Sequence, residues 1–226
     1  MHIRPLSPAL AVMLAVAGQS AVAADPGKFI VRGGYAVVAP QSSSDETTVG
    51  LGDVARVDDG NSLGISLTYM LRPDFGVEVL GALPFSHDIR GTGALSGVDI
   101  GKTRHLPPTI SLQWYPQVAG NFHPYLGAGL NYTVFFGEKT TSEFTAAVAG
   151  LAPGTTSTDL KLDDSFGLAL QAGCDYRIND RWSLNAAVWN IDIETEADIS
   201  ANGAHLTTVD VQIDPWVYMI GAGYRF

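Results

Sequence analysis

Ser86, His87 and Asp88 stand side by side and carry the side-chain types of a nucleophile, a base and an orienting acid. Acyl transfer at the rim of a membrane barrel, as in a lipid A acyltransferase, is the chemistry such a set would do. Three consecutive residues cannot all point one way, however, and no G-x-S-x-G, P-loop or paired-histidine metal motif accompanies them. His87, His105, His123 and His205 lack ligand spacing, and the first two and the last read as loop residues. The chain has one cysteine, Cys174, which excludes an internal disulfide. The expectation is a protein that is not an enzyme and needs no cofactor or metal.

Charge offers a second kind of chemistry. The net charge of −10 argues against nucleic acid as a partner. The acids gather in "DET", "GDVARVDDG", "LKLDD" and "IETEAD", between apolar stretches, as solvated loops do. Asp58 and Asp59 are the natural place for divalent ions bridging lipopolysaccharide phosphates, although their spacing specifies no calcium site.

The elements that hold these residues follow from periodicity. Residues 1–23 combine a basic start at Arg4, an apolar run and small residues at Ala21 and Ala23, the pattern of a signal peptide; 24–226 form the mature barrel. Beyond it, apolar residues recur at every second position in eight segments. They run over 28–38, 63–72, 75–84, 106–115, 123–136, 166–178, 182–193 and 216–226. Short turns follow the even segments and long polar loops the odd ones. An all-β, eight-stranded antiparallel transmembrane β-barrel with short periplasmic turns and long extracellular loops has that layout.

The faces choose between lipid and water outside. In the last segment Trp216, Tyr218, Ile220, Ala222, Tyr224 and Phe226 share one face, while Val217, Met219, Gly221, Gly223 and Arg225 share the other. An eight-stranded lumen has no room for the bulky set, so it faces lipid and the small and charged set faces in. Aromatics near the strand ends, among them Phe85, Phe166, Trp182 and Trp216, then fit interfacial girdles.

Topology gives each inward residue a height. The lower lumen collects Arg32, Arg72, Glu78, Gln113, Tyr115, Gln171, Asp175, Arg177, Asn185 and Arg225, a cross-braced polar plug, because unpaired charge in a narrow lumen is costly. The upper lumen collects Leu80, Ala82, Phe135, Trp189, Ile191, Val217 and Met219, an apolar lining suited either to packing against itself or to a small apolar solute. The stretch "VWNIDI" breaks the alternation, and a bulge there would reverse Trp189. A solute above a polar plug would leave sideways into lipid, and prolines weaken strand ladders. Pro84, Pro107 and Pro108 therefore mark a possible lateral gate.

Four stretches, "HLPPTISLQWYP", "PYLGAGLNYTVFF", "DDSFGLALQAGCDY" and "DPWVYMIGAGYRF", with "GKFIVRGGYAVVAP" at the start, closely resemble the OmpW family of small outer-membrane proteins, which includes the alkane-uptake protein AlkL. The resemblance covers essentially the whole mature chain. It implies an eight-stranded barrel with a hydrophobic channel that passes small apolar compounds into the membrane, and, for some members, a role as bacteriocin receptor. It also implies that Phe226, with Tyr224 and the apolar residues alternating upstream, is the tag read by the barrel-assembly machinery. The expected partners are thus outer-membrane lipid and lipopolysaccharide, the assembly machinery and small apolar solutes. The competing expectation is a receptor or structural barrel that acts through its acidic loops.

Overall fold

The computed structural model describes residues 26–41, 43–44, 55–118 and 120–226. The signal-peptide segment 1–23 and the acidic "DET" lie outside the described residues. In chain order the strands are β1 (Phe29–Ala39), β2 (Ser43–Ser44), β3 (Ala55–Val57), β4 (Gly60–Arg72), β5 (Phe75–Ala82), β6 (Phe85–Gly91), β7 (Asp99–Leu106), β8 (Thr109–Trp114) and β9 (Phe122–Thr140). Helix α1 (Ser142–Leu151) comes next, then β10 (Thr158–Leu162), β11 (Ser165–Arg177), β12 (Trp182–Ile191), β13 (Glu194–Ala201), β14 (Ala204–Gln212) and β15 (Trp216–Arg225).

Eight of these strands close a barrel in the order β1-β4-β5-β8-β9-β11-β12-β15, with β15 returning to β1 and every pairing antiparallel. They correspond to the eight segments of alternating polarity. The closing seam runs from Ile30↔Arg225 to Ala39↔Trp216, and the Phe226 amide adds a last rung by donating to the Phe29 carbonyl at 3.0 Å. At the middle of the seam Gly34 faces Gly221, where a Cβ on Gly34 would stand 2.7 Å from the Gly221 Cα. Only glycine lets the two strands meet so closely while the sheet bends.

Polarity is inverted relative to a water-soluble barrel. Leu63, Ile65, Leu168, Leu170, Leu184 and Ile220 are exposed, the last at 74 %, whereas Arg32, Glu78 and Gln113 are 1 % exposed or less. Closure satisfies the backbone without water, which is what hydrocarbon demands. The break in alternation at "VWNIDI" produces no bulge: Trp189 and Ile191 both point inward at 1 % exposure. Phe85 departs from its expected place in a girdle. It is 1 % exposed and turned into the lumen, because its strand β6 lies above the barrel wall, where the apolar face is the inner one.

The stretches read as loops are largely ordered. Strand β9 continues upward and pairs with β7, which pairs with β6 and that with β3; β10, β13, β14 and β2 form a second sheet. His87 and His105 are therefore strand residues, on β6 and β7, and not loop residues; His205 is also in a strand, exposed on β14. Helix α1 is capped by Thr141, whose hydroxyl accepts from the Phe144 amide at 3.1 Å. It turns Phe144 and Val148 inward against Ile89, Ile100 and Ala201.

Candidate functional site

The lower lumen is organised around Arg32 of β1, which is fully buried. Its Nε and Nη2 donate to the two carboxylate oxygens of Asp175 on β11, at 3.0 and 2.6 Å. Nη1 donates to Thr68 Oγ1 at 2.8 Å, and Nη2 also reaches the Tyr115 hydroxyl at 3.0 Å. The guanidinium carbon lies 4.8 Å from the ring centre of Tyr125. A second carboxylate, Glu78 on β5, approaches Nη1 at 3.6 Å and is held by Gln113 Nε2 at 2.8 Å and Gln171 Nε2 at 3.0 Å. Asn185 Nδ2 donates to Asp175 Oδ1 at 2.9 Å and to the Tyr125 hydroxyl at 3.0 Å. The planar fork of an arginine suits this two-oxygen contact.

Arg32, Glu78 and Asp175 thus meet in one network, with Arg177 and Arg225 half-buried nearer the short-turn rim. Arg72 does not belong to it. Its side chain is 69 % exposed and pairs at 3.2 Å with Asp74 in the turn, because β4 reaches the rim before that residue. The sequence pattern leaves Tyr125 unplaced and puts Thr68 on the inner face of its segment without marking it as a bonding partner. Tyr125 sits in "PYLGAGL", where aromatic and small residues hide which face is inner, and Thr68 is too common a residue to signal a role.

Above the plug the lumen turns apolar. Leu80, Ala82, Trp189, Ile191, Val217 and Met219 line a small void of about 20 Å³ with Ala36, Gly81, Phe85 and Pro107. Phe135 lies higher, in a ring stack. His105 stacks on Phe85 at 5.4 Å and on His87 at 4.8 Å, and tilts against Phe135 at 5.9 Å. Over this stack is a chamber of about 70 Å³, walled by residues such as Val38, Ile89, Ile100, Phe144, Leu162 and Ile213. Burial pushes the imidazole of His105 down to about 3, aided by its neighbour His87, and burial also lowers His87. Both rings are neutral at ordinary pH. The stack carried no sequence signal, because two histidines 18 positions apart become neighbours only through the β6–β7 pairing Phe85↔His105.

The three prolines Pro84, Pro107 and Pro108 separate. Pro84 and Pro108 are exposed, while Pro107 is buried against the small void. Ladder pairing between β5 and β8 stops at Leu80↔Thr109. Above it Gly81 and Ala82 pair only with β4, and the Pro108 carbonyl turns to the Tyr132 amide at 3.0 Å. A Cβ placed on Gly81 would meet nothing within 4 Å.

An inverted, closed, eight-stranded barrel with a polar plug is the construction of an integral outer-membrane protein of Gram-negative bacteria. The OmpW family model matches residues 25–226, and the chain belongs to that family. Outer membrane protein W of Vibrio cholerae is 46 % identical over 220 residues, covering 96 % of this chain and 97 % of the relative. The crystal structure of the outer membrane protein OprG from Pseudomonas aeruginosa superposes with a TM-score of 0.77 at 43 % identity, covering 89 % of this chain and 97 % of that one. The solid-state NMR structure of outer membrane protein AlkL in lipid bilayers shares the fold, with a TM-score of 0.66 at 20 % identity over 95 % of this chain and 97 % of that one.

Two outcomes follow from this geometry. Replacing Arg32 by Met leaves two buried carboxylates without their cation, a change worth roughly 3–5 kcal/mol. The urea midpoint of R32M in lipid vesicles should fall accordingly, with part of the loss recovered in R32M/D175N, and an unchanged midpoint would contradict the central role given to Arg32. For His105 the unfolded state binds a proton near pH 6.5 that the folded one refuses until about 3. Stability of the upper sheets should therefore be flat above pH 6.5 and fall by up to about 1.4 kcal/mol per pH unit below it. Limited proteolysis of the β6–β7 hairpin from pH 8 to 4 checks this, and H105F should make the fall shallower, leaving the contribution of buried His87.

Proposed function

We propose that the barrel is a passive conduit for small hydrophobic molecules, which enter the upper chamber, descend to the apolar lumen and leave sideways into the membrane. One observation carries the reading: an apolar lining continues from the chamber through the ring stack to the void at Leu80, Trp189 and Met219, directly above a plug of buried charge. A hydrocarbon gains from every part of that lining and would lose on meeting Arg32 and Glu78. The direction in which ladder bonds are fewest is through Gly81, Ala82 and Pro107, so Pro84, Pro107 and Pro108 frame the exit. A role through the acidic loops has less behind it, because Asp58 is already paired with Arg56 and Arg90. The Ser86, His87 and Asp88 set does not assemble as a catalytic group, since Ser86 is exposed and points away from buried His87.

Uptake of an apolar solute by cells with and without the protein tests the reading. Trp189→Asp or Met219→Asp places a charge in the lining and should abolish the protein-dependent part of uptake; equal uptake in all strains would sink the idea.

The same reading takes Phe226 and Tyr224 as the address for the barrel-assembly machinery. Both rings stand at the lower rim, 4.8 Å apart, and Tyr224 also meets Trp182 at 4.9 Å. Loss of Phe226 removes only one rung, so the urea midpoint of already folded barrels should hardly move. The yield of assembled barrel in cells should drop severalfold, and a normal yield would exclude the role.

A further inference from the structure

The outer face of the upper β6–β7–β9 sheet is cationic, although the chain as a whole carries −10. Arg90, Lys102, Arg104 and Lys139 are its exposed cations on those strands. The pairing Lys102↔Lys139 sets two ammonium groups directly opposite one another, where like charges repel. An irregularity in the ladder creates that pairing. Arg104 lies opposite Phe136, so the step from Arg104 to Lys102 on β7 is matched by one residue more on β9, and Gly137 takes the left-handed φ of 71° there. The extra residue turns the following side chains over. In an unbroken ladder Glu138 would stand opposite Lys102 and Lys139 would point inward.

Nearby acids answer only part of this charge. Asp88 takes Lys102 at 2.9 Å, while Asp58 and Asp99 take Arg90. Arg104 and Lys139 belong to no ion pair among the described residues. The height of the patch narrows the ligand. Arg104 is three residues above Pro107, where the outer face changes from apolar to polar. On a tilted strand rising about 3.3 Å per residue, that is roughly 8 Å past the hydrocarbon. The polar layer of a bilayer is about 5–8 Å deep on each side, and a long arginine reaches back into it. The second upper sheet has the reverse charge, with Asp159, Glu194, Glu196 and Asp210 exposed. An anion at this level is drawn to one side of the molecule.

We propose that Lys102, Arg104 and Lys139 form a binding site for the phosphate groups of lipopolysaccharide on the outer face of β7 and β9. Arg104 offers the planar fork that suits phosphate, and the two lysines are point charges whose repulsion an anion between them relieves. The bulge at Gly137 is the device that assembles the site.

The test is binding of bisphosphorylated lipid A to the purified barrel in detergent, read by native mass spectrometry. R104Q/K139Q changes two exposed side chains and should weaken binding about thirtyfold, the scale of two cations beside an anionic surface. K161Q, which removes a cation from the acidic sheet, should leave binding unchanged. Lipid A stripped of both phosphates should bind the wild type no better than intact lipid A binds R104Q/K139Q. Unaltered binding by R104Q/K139Q, equal binding of the stripped lipid, or a loss in K161Q matching that of R104Q/K139Q would each overturn the proposal. So would phosphatidylglycerol that binds as tightly as lipid A with the same loss, since the patch would then be a general anionic surface reader. Should R104Q/K139Q not assemble, the comparison of the two forms of lipid A on the wild-type barrel decides by itself.

Discussion

A single guanidinium inside a hydrocarbon-clad cylinder dictates much of this molecule. Arg32 is fully buried, and the desolvation of a buried cation is tolerable only with matched partners. Those partners come from around the barrel: Thr68 on β4, Glu78 on β5 and, through Glu78, Gln113 on β8, Tyr125 on β9, Asp175 on β11 and, through Asp175, Asn185 on β12. Strands whose inner residues must meet at one height cannot slip, since a shift of one residue would send those side chains into lipid. The plug therefore fixes register as well as filling the lumen. It also forces any apolar route to stop above it.

The levels above the plug follow from that stop. Ser66, Ser111, Thr109, Asn131 and Thr133 make a narrow polar belt whose members largely bond one another or nearby carbonyls, as Asn131 does with Thr109 at 2.9 Å and Thr133 with Asn131 at 2.7 Å. Leu80, Trp189, Val217 and Met219 line other sides of the lumen above the plug, Leu80 in register with both Ser66 and Thr109; higher still come the Phe85, His105, His87 and Phe135 stack and the chamber.

Much of this was legible in the chain. Alternation fixed the eight barrel strands, since in lipid one face must be apolar along its whole length and each strand repeats the statement. The heights of Arg32, Glu78 and Asp175 followed from counting along those strands. Arg72 failed the same count by position alone: periodicity gives the face of a residue but not whether the strand has already left the membrane at its end. The ordered hairpins above the wall were less visible. Their strands mix Thr, Asp, Lys and Gly in short runs, and their partners are set by β9 continuing upward, which no local pattern announces. His87 and His105 belong to that hidden part.

The change in code along one sheet locates the outer boundary of the membrane. On the barrel wall the exposed residues are Leu63, Ile65, Leu83 and Ile110, and inward positions are small or polar. One turn of chain beyond, on β6 and β7, the exposed positions become Ser86, Arg90, Lys102 and Arg104, while Phe85, Ile89 and Ile100 point in. The inversion happens across Pro84 and Pro107, with no change in strand direction. It is the point where the solvent outside the sheet switches from hydrocarbon to water, so the buried face switches from polar to apolar. A solute route that opened at this height would start from an apolar interior and end at the outer edge of the hydrocarbon layer, and it would cross neither the charged rim above nor the arginine plug below.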